Sequence, residues 1–156
     1  MREILFRGKD LQEQNGWLYG YFYKSDINKR ERESGKATLI FTPDCDTFIY
    51  VPEYHNSWMV KSETVGQYTG LTDKNGTRIF EGDILGCLER SEYFRYLNNV
   101  RFEVFYDRVD ACFSVERYVN GNYECTRKLS TYDLSRQLEV IGNIHDNPEL
   151  LKGETE

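Results

Sequence analysis

Apolar and polar positions alternate along most of this chain, in short runs broken by glycine, asparagine, aspartate and proline. A period of two puts successive side chains on opposite faces of a strand, so the pattern predicts a mainly β protein. Residues 2–7 (REILFR) alternate charged and apolar, and residues 17–23 (WLYGYFY) are dense in strand formers. Asn15-Gly16 between them signals a turn, giving an N-terminal strand pair. Both faces of 17–23 are apolar, which predicts that one face is covered by another subunit or domain. A second pair, 37–41 and 47–51, flanks Thr42-Pro43-Asp44, and 57–60 begins a further strand. Residues 100–106 and 111–119 read as strands, Asn120-Gly121-Asn122 turns the chain into 123–128, and 138–144 (LEVIGNI) is the last strand.

The densest stretch is 67–85, QYTGLTDKNGTRIFEGDIL. Asn75-Gly76 is a hairpin signal, because both residues tolerate positive φ. Gly82 suits a bend or bulge between Phe80 and Ile84, and Asp83 is placed to accept hydrogen bonds from nearby backbone amides. Helix signals are few. Residues 88–98 (LERSEYFRYLN) hint weakly at a short helix. Ser130 with Asp133 resembles a capping box, predicting a helical turn or two over 131–136. Pro148 falls at the first position of a short helix after Asn147. Residues 24–36 (KSDINKRERESGK) have nothing to bury and read as an exposed loop, and 152–156 as a flexible tail.

The chain of 156 residues is long enough for a core without disulfides or metal. Its net charge of −6 counts against a nucleic-acid binder, which draws most of its affinity from a basic face. No apolar run reaches the length of a membrane span or a signal-peptide core, so a cytoplasmic protein with no membrane partner is expected. Cys45, Cys87, Cys112 and Cys125 stand far apart without zinc-type spacing, and read as reduced small hydrophobes.

Three blocks together carry a family likeness: 67–85, 139–151 (EVIGNIHDNPELL) and the opening REILFRGKD with Trp17 after it. They resemble the YopX-like proteins of bacteriophages and prophages. The resemblance implies an SH3-like β-barrel domain over 59–151, preceded by a small N-terminal β subdomain over 1–58, with one or two short helices. Gly70, Asn75, Gly76, Gly82, Asp83, Gly142 and Pro148 form the structural signature. The resemblance brings no established activity, so it transfers no catalytic residue.

Candidate chemistry is sparse. The glycines of 67–85 do not form GxGxxG or a P-loop. Asp73, Glu81 and Asp83 are near one another, but turn-capping accounts for them better than a cation site. His55 and His145 are the only histidines, and no nucleophile elbow is present. A small metal-dependent hydrolase using Asp83, Glu81 or His145 is the weakest reading, and neither enzyme activity nor a cofactor is expected. The aromatics Tyr19, Tyr21, Tyr23, Tyr93 and Tyr96 are the candidate binding residues. Packing or a protein interface suits them better than base stacking. The expected function is therefore a non-catalytic interaction module, with an unknown host or phage protein, or a second copy, as partner. Nucleic-acid binding is the alternative; it calls for Lys24, Lys29, Arg30, Arg32, Arg90, Arg95 or Arg101 to cluster beside exposed aromatics.

Overall fold

The computed structural model describes residues 3–25, 46–86, 100–132 and 138–152. The strand expected at 37–41, most of the 24–36 loop, the 88–98 segment with Tyr93 and Tyr96, Cys45, Cys87, Asp133 and the tail from 153 lie outside the described residues. The chain divides into two compact units, Met1–Gln67 and Tyr68–Glu156. The division falls inside the signature segment, where the sequence pattern had suggested 58/59.

In the first unit, β1 (Phe6–Lys9), β2 (Trp17–Lys24), β3 (Thr47–Val51) and β4 (Asn56–Met59) form an antiparallel meander. The first two residues of β5 (Gly66–Thr72) pair with β1. Alternation decides what is buried. Leu18 and Ile49 point to one side and close a small core with Val51 and Val60, against which Phe6, Phe22, Trp58 and Val65 pack. The β1–β2 turn is held by Asp10, whose carboxylate accepts hydrogen bonds from the amides of Gln12 and Asn15 and from the Asn15 side chain.

In the second unit, β5 continues into a hairpin with β6 (Arg78–Phe80). The strands β7 (Asp83–Gly86), β8 (Val100–Asp107), β9 (Cys112–Val119), β10 (Asn122–Lys128) and β11 (Glu139–Asn143) form an antiparallel sheet in the order β10-β9-β8-β7-β11. Its core is built around Phe102, Leu85, Ile79 and Val104, each at most 1% exposed. The barrel expected from the family likeness is not closed: among the described residues the sheet is open, with β10 and β11 at its edges. β10 (NYECTRK) is polar on both faces and almost wholly exposed, and its register slips between Tyr123 and Cys125. A charged, bulged edge has little apolar area to gain by closing.

Among the described residues the helical turns are 3-10. Pro148–Leu151 is one, with Pro148 at its start, and Leu129–Thr131 is another. No side chain caps the second turn, and Ser130 lies inside it; the helical turn expected over 131–136, with the Asp133 of its capping box, falls from 133 on outside the described residues. Leu129, 1% exposed, pins the Leu129–Thr131 turn to the core. Cys112 and Cys125 are free and half-buried. No helix among the described residues is long and apolar enough to cross a membrane.

Candidate functional site

The strand β2 resolves the question of its two apolar faces. Leu18 and Gly20 are buried, whereas Tyr19, Tyr21 and Tyr23 are 46%, 55% and 40% exposed. The three tyrosines therefore line one open face of the first unit's sheet. Cross-strand register extends the face: Tyr21 stands opposite Tyr50, and Tyr23 opposite Phe48. The Tyr23 and Phe48 rings stack at 5.3 Å with their planes 13° apart. On the other side Arg7 stands opposite Tyr19 and Lys9 opposite Trp17. The Arg7 guanidinium lies 4.6 Å from the Trp17 ring centre and the Lys9 ammonium 5.9 Å. Lys24, at the end of the strand, is exposed and pairs with Asp46 at 3.8 Å.

At the start of β2 the same unit carries an open pocket of about 540 Å³, lined by Trp17, Tyr19, Tyr54, Trp58, Glu53 and Asn15 among others. Two strands and a 3-10 turn, Pro52–Tyr54, bring these residues together. Tyr54 and Trp58 meet edge to face, 5.8 Å between centres at 79°. The aromatic residue types were visible in the chain, but the meeting of positions 17, 54 and 58 depends on strand order.

In the second unit the signature residues take structural posts. Gly70, Gly76 and Gly82 all have positive φ, of 84°, 83° and 77°. Asn75 does not share that conformation. Its amide donates to Asp73 Oδ1 at 2.8 Å, and its side chain donates to Glu139 Oε2 at 2.9 Å. Asp73 is 4% exposed and holds the turn together: its Oδ1 also accepts from the Thr77 amide, and its Oδ2 accepts from Val140 of β11 at 3.0 Å. Asp83, 1% exposed, accepts from the Phe80 amide at 2.7 Å across the Gly82 bend. Gly142 is needed for close approach, since a Cβ there would lie 2.6 Å from Asn147 Oδ1 and 2.9 Å from Leu150 Cδ1.

The proposed acid–base residues are not gathered for chemistry. Asp83 is committed to its bend. The His145 and Asp146 amides donate to Asn143 Oδ1, and Asn143 Nδ2 donates to the Asp146 carboxylate at 2.9 Å. His55 closes the Pro52–Tyr54 turn with φ of 50°. Among the described residues no three His, Cys, Asp or Glu side chains are grouped to hold a metal ion. Sequence reading missed a group of shifted residues on β8 and β9. Glu103 stands opposite Glu116, and Tyr118 donates from its hydroxyl to Glu116 Oε2 at 2.7 Å. Burial, then the Glu116 charge, raises the Glu103 carboxyl above the usual range, and the hydrogen bond to Glu116 raises the Tyr118 phenol.

Comparison with known proteins bears on the whole chain. The family model described as YopX protein matches residues 5–152. Among solved structures, the crystal structure of protein EF1440 from Enterococcus faecalis is similar, with 25% identity and a TM-score of 0.49 over 97% of this chain and 100% of that one. No curated protein matches. With the family model spanning all but the chain's ends, this chain belongs to the YopX family.

Proposed function

We propose that the chain is a non-catalytic protein-interaction module, encoded by a phage or prophage and acting in the bacterial cytoplasm. The observation that carries the reading is the row of Tyr19, Tyr21 and Tyr23 on the open face of β2. Alternate strand residues are about 7 Å apart, so the three rings form one continuous surface. Tyrosine supplies large contact area at low entropy cost together with a hydroxyl for orientation, which is why it concentrates at interface centres. The partner is a host or phage protein, or a second copy of the chain. The phage setting rests on the family resemblance. The second unit is read as an opened SH3-like unit: four consecutive strands meander, and the last returns beside the first after a 3-10 turn.

Replacing Tyr19, Tyr21 and Tyr23 by serine tests this. The native chain is expected to self-associate in light scattering, or to retain a specific protein from host lysate, and the triple variant to lose that association while keeping its circular dichroism. A strictly monomeric native chain that retains nothing specific removes the reading.

A second reading is favoured by one observation. The half-buried Lys9 and the exposed tyrosines lie beside Trp17, whose ring also carries the buried Arg7, and aromatics next to a cation also suit single-stranded nucleic acid. Fluorescence anisotropy at low salt, with labelled single-stranded DNA and RNA, separates the two. Absence of binding under those conditions eliminates the nucleic-acid reading, because its affinity is greatest there.

A further inference from the structure

We propose that the pocket at the start of β2 binds the guanidinium of an arginine side chain presented by a basic partner segment. The proposal deepens the interaction reading, and rests on it, by naming what the partner presents. Four of the lining residues are aromatic: Trp17, Tyr19, Tyr54 and Trp58. Aromatic faces carry negative potential and attract a cation held within about 6 Å of the ring centre. Glu53 adds a carboxylate to the same lining, and the chain as a whole carries a net charge of −6. Guanidinium suits both kinds of group, since it stacks flat on a ring and can donate two parallel hydrogen bonds to a carboxylate. Trp17 already carries the chain's own Arg7 at 4.6 Å and Lys9 at 5.9 Å, so the incoming guanidinium falls to Tyr19, Tyr54, Trp58 and Glu53.

The walls are set in advance. Pro52 fixes the start of the 3-10 turn, and the His55 amide closes it on the Pro52 carbonyl at 3.2 Å. That turn delivers Glu53 and Tyr54 together, and the edge-to-face contact with Trp58 orients the Tyr54 ring. A preformed wall spares the ordering cost of binding. A volume of about 540 Å³ admits a long side chain with part of its backbone. The acid in the lining disfavours a purely apolar occupant, which would strip water from Glu53 without replacing it.

The test is built into the chain, because its only two tryptophans, Trp17 and Trp58, both line the pocket. Intrinsic fluorescence of the full chain therefore reports on this site. The probes are an acetylated, amidated Gly-Arg-Gly peptide and its citrulline counterpart, which keeps the shape and removes the charge. A saturable response to the arginine peptide is expected, with the citrulline peptide weaker by about fivefold or more, the size of one good cation–aromatic contact. Glu53→Gln and Tyr54→Ala, both at exposed positions, should each weaken the arginine peptide by about two- to fivefold. Equal binding of the two peptides, absence of a saturable response, or indifference to both substitutions overturns the proposal. Tyr19 lines the pocket but Tyr21 and Tyr23 do not, so the double variant Tyr21→Ser, Tyr23→Ser should weaken the association while leaving the arginine response intact, and the two readings fail separately.

Discussion

Asp73 and Asp83 show how one carboxylate in the right backbone setting organises several residues around it. Asp73 accepts from three backbone amides, those of Asn75, Thr77 and Val140. Removing a buried acceptor leaves its donors without water or partner, so Asp73→Ala should cost about 3 kcal/mol in urea unfolding, and Asp83→Ala about 2 kcal/mol. The substitution Gly142→Ala should cost about 1–3 kcal/mol, because the new methyl drives into Asn147 and Leu150. Unfolding midpoints equal to those of the native chain would contradict these assignments. That Asp83 serves its own bend was readable from its place beside Gly82. The reach of Asp73 to Val140 was not, because nothing local in 67–85 points to a strand that follows it by 67 residues. The pocket was hidden for the same reason: Trp17 and Trp58 are ordinary strand aromatics until β2, β3 and β4 align.

At the scale of elements, turn chemistry was legible and sheet order was not. Asn120 and Gly121 both adopt positive φ and join β9 to β10, as their types predict. The openness of the second sheet depends on what an edge strand can bury, and the polar pattern of β10 carries that information only once its neighbours are known. Within the sheet, the β8–β9 pair holds a built-in liability. Burial and the opposing Glu116 raise the Glu103 carboxyl in the folded chain, from an ordinary value of 4.5. The folded chain therefore holds that proton more tightly than the unfolded one. The associated stability is complete below pH 4.5 and is lost as pH rises through the folded value. Glu103→Gln should raise the melting temperature at neutral pH and flatten its decline from acid to neutral. A variant whose melting profile keeps the native slope would show that Glu103 is not the group responsible.

At the scale of the molecule, each unit has its own buried centre, Ile49 in one and Phe102 in the other, both fully buried. Phe102→Ala should cost about 3–5 kcal/mol and Ile49→Ala about 2–5 kcal/mol, from lost burial and the cavities left behind. Hydrogen exchange on the full chain would locate each loss among the amides of its own unit, and a uniform rise across the chain would argue against separate cores. From Tyr68 on, the signature block 67–85 belongs with 139–151 to the second unit, and the Asp73 carboxylate joins the two. That join has a kinetic consequence. A bond spanning 67 residues forms only after the intervening chain has been brought round, so a late place in assembly is predicted for it. Asp73→Asn keeps an oxygen for Asn75 and Thr77 and gives up the acceptor for Val140. It should hasten unfolding and leave the refolding rate nearly unchanged in stopped-flow measurements, so that Asp73 governs how long the native state lasts rather than how quickly it is reached.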